Sequence, residues 1–253
     1  MEQQEYEAMA RLELKLWWYR ALHDKVLCAL RRRLPEGPGT SLLDAGCGTG
    51  GLLSVLHRRF PDWSLHGIDI SETAVGYARR ASLAEIRQGS VTDLPYADSS
   101  FDAIVSTDVM YHRLVDPHAM LDQCCRVLKP GGLLLLNLPA YQWLRSYHDE
   151  HVQTGRRYTL GTLSEVMQGH PLRRLQGTYW NALLFVPLVL KRKLFAGAPE
   201  HSDVGEFPAW LDRLAYTLMS WENAWICRGG RLPFGSSVFA VYAKTPETGR
   251  IDR

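Results

Sequence analysis

The chain has 253 residues, of which 46% are hydrophobic, and this length allows one large domain with a substantial core. A net charge of +2 at pH 7 is too small to indicate a nucleic-acid partner. The five cysteines are odd in number and show no C-x-x-C spacing. This pattern argues against a disulfide framework or a zinc site and favours a reducing compartment. The acidic start lacks a signal-peptide core, and the apolar run 182–190 is too short to span a bilayer. We therefore expect a cytoplasmic protein without a transmembrane segment.

Hydrophobic spacing predicts alternating helices and strands in the first half of the chain. A helix is predicted over residues 2–33, and the stretch 35–39, rich in Pro and Gly, ends it. Strands are then predicted at 41–45, 65–70, 84–88 and 103–106, with helices at 50–60, from Ser71 onward and at 117–128. The leucine-rich run 133–138 predicts a strand buried on both faces. This alternation is typical of βαβ units around a parallel sheet.

The pattern changes after Pro139. Residues 148–169 are interpreted as a loop and then a helix, 172–179 as a strand and 237–243 as a final strand. The Trp-rich segment 181–227 is predicted to be mainly helical. An α/β core with a lid, built from the N-terminal helix and this segment, fits the layout better than two independent domains.

The first predicted strand leads through a glycine-rich loop, 42–50, into a helix. Its alternating glycines are Gly46, Gly48 and Gly50. Glycine lets the backbone approach a ligand closely, and amides at a helix start favour negative or polar ligand groups. With Gly51 the loop also satisfies the G-x-G-x-x-G fingerprint of dinucleotide sites, and Asp69 lies about 20 residues on. Asp44 at the mouth of the loop would instead repel a pyrophosphate and suit a cationic ligand with an ammonium group.

Three further segments follow this loop at the spacing of a known family. They are Gly67-Ile68-Asp69-Ile70-Ser71, the pattern L-P-Y-A-D-x-x-F-D at 94–102, and R-V-L-K-P-G-G at 126–132. With L-x-D-x-G-x-G-x-G at 42–50, they resemble the class I S-adenosylmethionine-dependent methyltransferases, specifically the subgroup with small-molecule and quinone-biosynthesis members. The resemblance covers about residues 40–140. It implies S-adenosyl-L-methionine as cofactor, S-adenosyl-L-homocysteine as product and a small-molecule methyl acceptor as partner.

The same resemblance implies a Rossmann-like α/β fold, with a mostly parallel seven-stranded sheet, helices on both faces and helical lid elements. Residues 1–36 would form an N-terminal helical cap. Residues 37–253 would form the methyltransferase domain, with a helical acceptor-binding insertion at about 181–227. The Asn/Asp-Pro-Pro-Tyr/Phe segment of enzymes that methylate amino groups of nucleic acids does not follow the fourth predicted strand. This argues against DNA or RNA as acceptor.

The resemblance also assigns expected roles around the cofactor. Asp69 would accept hydrogen bonds from both ribose hydroxyls, and Ile70 would pack against the adenine. Ser90 stands where members of the family commonly carry an acidic residue, so either its hydroxyl or the Val91 amide would contact the adenine. The remaining expected contacts come from the glycine-rich loop and the fourth strand, namely Asp44, Gly46, Cys47, Gly48 and Thr107.

Three residues of the N-terminal helix are further candidates for cofactor contact. Aromatic rings stabilise a sulfonium cation, and an Arg pairs with a carboxylate, so Trp18, Tyr19 and Arg20 would close the site from above. The alternative is that the tryptophans of this helix only pack it onto the core.

A base is needed for methyl transfer only when the acceptor must lose a proton. His112 follows the fourth strand and titrates near neutrality, so it is the first candidate, with His148 and His151 as further candidates. Each of them has a structural or solvated role as its alternative. Acceptor contacts are expected from Tyr111, Tyr158 and Trp180. No metal is expected, because no third ligand accompanies the histidine pair 148 and 151.

The segment 181–227 indicates the acceptor, since its many large apolar and aromatic side chains suit a pocket that excludes water. Aromatic or lipid-like natural products and quinones are therefore expected. The apolar run 182–190, followed by the basic residues 191–193, is also compatible with peripheral contact to a membrane surface. Two alternatives of other classes stay open. One is a non-catalytic or regulatory cofactor-binding protein on the same fold, and the other is an NAD-dependent oxidoreductase.

Overall fold

The computed structural model describes residues 3–145, 153–194 and 208–246. Within these ranges seven strands form one sheet, namely β1 (Ser41–Ala45), β2 (Ser64–Asp69), β3 (Glu85–Gln88), β4 (Phe101–Thr107), β5 (Leu128–Pro139), β6 (Leu172–Trp180) and β7 (Ser237–Lys244). Their order across the sheet is β3-β2-β1-β4-β5-β7-β6. The strands from β3 to β5 pair in parallel, and β7 runs antiparallel to both β5 and β6. The predicted mostly parallel, seven-stranded sheet is confirmed.

Eight α-helices accompany the sheet in the described ranges. They are α1 (Gln3–Leu12), α2 (Trp17–Arg31), α3 (Gly51–Arg59), α4 (Glu72–Ala81), α5 (Pro117–Val127), α6 (Leu160–Val166), α7 (Phe185–Leu194) and α8 (Ala209–Cys227). Ser71 caps α4 as predicted, because its hydroxyl accepts a hydrogen bond from the amide of Ala74 at 3.3 Å. None of these helices, as far as the structure describes them, is both long enough and apolar enough to cross a membrane.

Two segments predicted as helical are interrupted. The helix predicted over 2–33 is divided into α1 and α2, because the backbone at Leu16 is extended, with φ −67° and ψ 133°. Asp212 of α8 then accepts a hydrogen bond from the amide of Trp17 at 2.8 Å and so caps α2 from a distant part of the chain. The segment 181–227 contains α7 and α8, and residues 195–207 between them lie outside the described ranges.

Both faces of the sheet carry a hydrophobic core. Successive residues of a strand point to opposite faces, and β5 follows this rule. Leu133 and Leu135 belong to a core with α2, α3 and α8, whereas Leu134 and Leu136 belong to a core with α5 and α6. All four leucines are buried. The predicted burial of this run on both faces is confirmed, and helices cover both faces of the sheet.

A disulfide joins α2 to α8. Cys28 and Cys227 are bonded, with 6.2 Å between their Cα atoms and a sequence separation of 199. The expectation that the cysteines form no disulfide is wrong for this pair. Cysteine number and spacing did not reveal it, because the two residues meet only when α2 packs against α8. The free cysteines, all of them buried, are Cys47, Cys124 and Cys125.

Candidate functional site

The glycine-rich loop between β1 and α3 has a backbone that a side chain would disturb. Gly46 and Gly48 have positive φ angles of 87° and 53°. A Cβ at Gly46 would lie 2.2 Å from Cγ2 of Val109, and a Cβ at Gly48 would lie 2.7 Å from Cε of Met9. The amide of Gly46 donates to the carbonyl of Ile68 at 2.8 Å. The loop is therefore a tight turn fixed beside the end of β2, with close neighbours from α1 and from the residues after β4.

Asp69 lies at the end of β2, within reach of the loop. Its Oδ2 accepts a hydrogen bond from the amide of Gly48 at 3.0 Å, and its Oδ1 accepts one from the amide of Ser71 at 2.9 Å. A carboxylate has about four acceptor positions, so both oxygens keep capacity for hydroxyl donors. The neighbouring Ile70 is 69% exposed and offers an apolar surface to a flat ring. The arrangement suits the expected ribose and adenine contacts, which stay predictions.

Three buried carboxylates surround the loop, those of Glu13, Asp44 and Asp69. Sequence reasoning missed Glu13, which follows α1 and accepts hydrogen bonds from the Thr49 hydroxyl and, at 3.0 Å, from the Gly51 amide. Burial raises the pKa of Glu13 to about 7. Burial raises the pKa of Asp44 well above its ordinary value, and the nearby charges of Glu13 and Asp69 raise it further. The loop is thus strongly favourable to a cation.

The surroundings of Asp44 indicate which kind of ligand fits the glycine-rich loop. Oδ1 of Asp44 is buried and has no hydrogen-bond partner among the described residues, so a donor from a ligand would satisfy it. An ammonium group suits this position because carboxylates surround it. A dinucleotide suits it poorly, since its pyrophosphate would compete for the start of α3, where Glu13 already accepts from an amide. The residues present therefore fit the cationic amino-acid end of S-adenosylmethionine.

The charge of Glu13 gives a stability prediction for the ligand-free protein. Its pKa of about 7 lies above the ordinary value of 4.5, so the folded protein binds this proton more tightly than the unfolded chain does. Stability then falls as the pH rises between these two values. We expect Glu13→Gln to raise the free energy of unfolding at about pH 8 by about 1–3 kcal/mol.

Urea unfolding at about pH 5 and about pH 8 measures this effect, and the gain should shrink at the lower pH. Glu165→Gln, which changes an exposed glutamate, is the matched control. An equal response of the two variants at both pH values would contradict the prediction.

The other expected cofactor residues lie near this loop or at the neighbouring strand ends. Cys47 is buried, and burial raises the pKa of its thiol, so it is an uncharged packing group. The amide of Gly89 donates to the carbonyl of Asp69 at 3.0 Å. Ser90 and Val91 are the next two residues in the chain, so they lie close to the residue that is expected to bind the ribose. The Ser90 hydroxyl already shares a hydrogen bond with a threonine hydroxyl at 2.7 Å. Thr107, the expected backbone contact, ends β4.

The candidates of the N-terminal helix have partners elsewhere. Arg20 lies 3.7 Å from Asp212, and its guanidinium lies 3.8 Å from the ring centre of Tyr216, both on α8. Trp18 packs edge-on against Tyr19, with ring centres 5.0 Å apart, and is packed against the core. These contacts agree with the alternative that Trp18 packs the helix onto the core. Cofactor contact by the three residues stays a prediction.

The expected acceptor residues near β4 are mostly buried. The ring of His112 stacks on that of Tyr111 with 4.6 Å between the centres, and burial lowers the pKa of His112 to about 4. Tyr158 is buried, and its hydroxyl donates to the carbonyl of Met110 at 3.2 Å. The other two candidate bases, His148 and His151, lie outside the described residues. Among the described residues, no group of three His, Cys, Asp or Glu side chains is placed to hold a metal ion.

A line of polar side chains at the carboxyl ends of β4 and β5 was missed by sequence reasoning. In this polar line, Oδ1 of Asn137 accepts a hydrogen bond from Nζ of Lys25 at 2.9 Å, and Nδ2 of Asn137 donates to Asp108 at 3.2 Å. Nζ of Lys25 also lies 3.5 Å from the ring centre of Trp180. Trp180 is fully buried and so forms part of the core rather than an open wall. The available signal was Asn137 itself, the polar residue within the leucine run 133–138, because a buried amide needs partners.

Aromatic rings gather at the same edge of the sheet. We call this group the aromatic shelf, and its members are Tyr141, Trp143, Tyr179, Phe185 and Phe234. Tyr141 stacks on Tyr179 and Trp143, with 5.1 and 5.6 Å between ring centres, and Phe185 lies 5.6 Å from Phe234. Trp143 and Phe234 are 58% and 44% exposed. Tyr141 follows β5 and Phe234 precedes the antiparallel β7, so the shelf lies beside the polar line.

Comparison with known proteins agrees with the sequence resemblance. Residues 43–136 match a family model described as a methyltransferase domain. A Mycolicibacterium smegmatis protein named "Probable S-adenosylmethionine-dependent methyltransferase" is 35% identical over 127 residues, which cover 49% of this chain and 46% of that protein. A fatty-acid O-methyltransferase of the same species is 34% identical over 126 residues, which cover 46% and 44%. The chain thus spans less than half the length of these curated relatives.

A solved structure shares the fold. It is the geranyl diphosphate C-methyltransferase from Streptomyces coelicolor A3(2), crystallised with Mg²⁺, geranyl diphosphate and S-adenosyl-L-homocysteine. Its TM-score with this chain is 0.57, and the match covers 87% of this chain and 78% of that chain at 16% identity. At this identity the likeness shows the fold alone, and it confirms the expected Rossmann-like architecture.

Proposed function

Since the chain belongs to the class I S-adenosylmethionine-dependent methyltransferases, we propose that it transfers a methyl group from this cofactor to a small hydrophobic or aromatic molecule. One observation carries the proposal. The aromatic shelf and the carboxylates around the glycine-rich loop lie at the same edge of the sheet, beyond the carboxyl ends of β1 and β5. Open α/β sheets bind ligands at this edge. The carboxylates suit the cationic cofactor, and the shelf suits an apolar acceptor.

The proposed mechanism relies mainly on alignment. When bound, the cofactor supplies a methyl group on a sulfonium, from which sulfur departs readily. Asp44 would hold the ammonium group and Asp69 the ribose, which fixes the direction of the methyl group. The aromatic shelf would hold the acceptor and exclude water from the reacting atoms.

The names of similar proteins support an acceptor with a large apolar part. One relative is a fatty-acid O-methyltransferase, and the structural neighbour is a geranyl diphosphate C-methyltransferase. In this chain the exposed rings of the aromatic shelf provide the corresponding surface. We therefore place aromatic, quinone-like or lipid-like molecules ahead of sugars and amino acids as acceptors.

We also propose a division of roles along the chain. Residues 1–36 would act as a helical cap, since Met9 and Glu13 contact the glycine-rich loop. The insertion at about 181–227 would contribute to acceptor binding, since Phe185 of α7 belongs to the aromatic shelf.

Calorimetry and product formation test the proposed function. S-adenosylhomocysteine should bind, and NAD should not. Incubation with S-adenosylmethionine and a panel of phenols, quinols and fatty acids should release S-adenosylhomocysteine with at least one of them. Binding without release would favour the non-catalytic alternative, and binding of NAD alone would favour the oxidoreductase.

His112 stays one candidate for the base, as expected from the sequence. Burial lowers its pKa to about 4, so the ring is neutral at pH 7 but a weak proton acceptor. If it is the base, His112→Ala should lower turnover about 100-fold and leave the affinity for S-adenosylhomocysteine unchanged.

We propose, in addition, that α8 contacts an anionic lipid surface. Four of its apolar residues are spaced by four, seven and four positions and therefore share one helical face. They are Trp210, Leu214, Trp221 and Trp225, which are 68%, 48%, 66% and 57% exposed. Arg213 and Arg228 are also exposed and would pair with anionic headgroups. Tryptophan is favoured where an apolar layer meets water, so this face suits the surface of a bilayer.

Sedimentation with lipid vesicles tests this contact. Wild type should bind vesicles that contain phosphatidylserine, and the double variant Trp221→Ser/Trp225→Ser should bind them about tenfold more weakly or worse. Trp143→Ser, which changes an exposed tryptophan of the aromatic shelf, is the control. Equal sedimentation of all three proteins would contradict the proposal.

A further inference from the structure

The polar line Lys25, Asn137 and Asp108 has no part in the proposed cofactor site. Lys25 is 2% exposed and Asn137 is fully buried. Because Oδ1 of Asn137 accepts from Lys25, its Nδ2 must face Asp108, where it reaches both carboxylate oxygens at 3.2 and 3.4 Å. Apolar side chains of similar size would fill this space without the cost of burying a charge. The line is therefore expected to serve a purpose other than folding.

Asp108 lies at the edge of the sheet that also carries the glycine-rich loop and the aromatic shelf. It follows β4 directly and has a φ of 56°, in the left-handed region that non-glycine residues seldom adopt. Its amide donates to the carbonyl of Asn137 at 2.8 Å, which ties it to β5. The next residue, Val109, fills the space in front of Gly46 in the glycine-rich loop. Unlike Lys25 and Asn137, which are buried, Asp108 as a whole residue has intermediate exposure, so it is the member of the polar line nearest to solvent.

We propose that Asp108 is a catalytic residue, the general base that takes the proton of a hydroxyl group on an aromatic acceptor, with Asn137 and Lys25 as positioning residues. This inference rests on the proposed methyl transfer. In the step, the acceptor O–H bond breaks and its proton moves to the Asp108 carboxylate. An electron pair of the acceptor oxygen forms the new bond to the methyl carbon, and the pair of the breaking C–S bond stays on sulfur. Loss of the proton to water restores the carboxylate.

The charges around Asp108 support this role. Burial raises its pKa to about 7, whereas the charges of Lys25 and Arg157 and the hydrogen bond from Asn137 lower it. A carboxyl that ionises near neutral pH is largely available as a base and still accepts a proton effectively. Turnover that depends on it should therefore rise as the pH increases through about 7.

The choice of an aromatic hydroxyl follows from the neighbouring surface. The aromatic shelf, which adjoins the polar line, suits a flat apolar ring. A phenol ionises near pH 10, as tyrosine does, and so needs a base at neutral pH. A carboxylate acceptor is already ionised and would leave Asp108 without a proton to take.

The test uses two phenols as probes with wild type and Asp108→Asn. 4-Nitrophenol is mostly ionised at about pH 8 and needs no base, whereas 4-ethylphenol, like tyrosine, is protonated there. We expect Asp108→Asn to lower kcat for 4-ethylphenol about 100-fold or more, and to change kcat for 4-nitrophenol by less than about threefold. Asp62→Asn, which changes an exposed carboxylate, is the matched control and should leave both rates unchanged.

Two readouts do not depend on turnover. Calorimetry should give the same S-adenosylhomocysteine affinity for wild type and Asp108→Asn. Infrared difference spectra between about pH 6 and about pH 8 should show a larger carboxyl titration in Glu13→Gln than in Glu13→Gln/Asp108→Asn, in which other buried carboxyls with raised pKa values leave a common background. The Glu13 change is included because that carboxyl also has a pKa of about 7. Lys25→Met should move the titration of Asp108 to higher pH, since the charge of Lys25 lowers its pKa.

Each of the other possible outcomes would overturn a particular part of these proposals. Equal losses for the two phenols, or no loss for either, would exclude Asp108 as the base, and the selective loss in His112→Ala instead would transfer the role to His112. An unchanged titration in Lys25→Met would remove Lys25 from the positioning residues. If wild type binds S-adenosylhomocysteine but methylates neither phenol, the assignment of an aromatic hydroxyl as the methyl acceptor is wrong. Failure to bind S-adenosylhomocysteine would instead overturn the proposed function itself.

Discussion

Replacing Asp69 by alanine should weaken the binding of S-adenosylhomocysteine by about 100-fold or more. The variant removes both acceptors that are expected to hold the ribose hydroxyls. It also removes the partner of the Gly48 amide, which donates to Asp69 at 3.0 Å, so the glycine-rich loop loses one of its anchors. Both effects lower the affinity for the cofactor. Calorimetric titration with S-adenosylhomocysteine measures the change directly.

Two control variants separate charge from shape. Asp69→Asn keeps the size of the side chain and one acceptor, so its loss of affinity should be intermediate. Asp62→Asn removes an exposed carboxylate and should have no effect. Because burial raises the pKa of Asp69, its charge does not contribute to the stability of the fold at neutral pH, and both Asp69 variants should remain folded. An unchanged affinity in folded Asp69→Ala would show that the ribose does not lie at the end of β2.

The features predicted from the sequence are those that local patterns determine. The glycine-rich loop, the Ser71 cap and the buried run of β5 each depend on residues close together in the chain. A turn with positive φ needs glycine, and a central strand needs apolar residues on both faces. The family resemblance likewise depends on four short sequence motifs that occur in a fixed order. The sheet follows from them because parallel strands joined by helices have few possible arrangements.

The missed features depend on contacts between distant segments. The break before Trp17 is stabilised by Asp212, and Glu13 turns toward Thr49 and Gly51. Neither contact leaves a local pattern, since helical periodicity continues through residues 2–33. Lys25 likewise occupies an ordinary helical position. Its burial follows only from the packing of α2 on β5 and β6, where Asn137 and Trp180 meet its ammonium group.

Breaking the disulfide between Cys28 and Cys227 should lower the free energy of unfolding by about 2–5 kcal/mol. The bond closes a loop with a sequence separation of 199, so it removes many conformations from the unfolded chain. In the folded protein it adds to contacts that already join α2 and α8, such as the hydrogen bond from Asn223 to the carbonyl of Ala21 at 2.7 Å. The fold should therefore survive reduction with lower stability. Urea unfolding of wild type with and without a reductant measures the difference.

The double variant Cys28→Ser/Cys227→Ser should show the same loss, and a reductant should have no further effect on it. The buried thiols Cys47, Cys124 and Cys125 are present in both proteins, so they cannot account for the difference. Wild type that unfolds identically with and without reductant would contradict the prediction. The same bond tests the cytoplasmic location expected from the sequence, because a reducing compartment keeps such a pair as thiols. Alkylation of both cysteines in freshly lysed cells would support that location, and resistance to alkylation until reduction would contradict it.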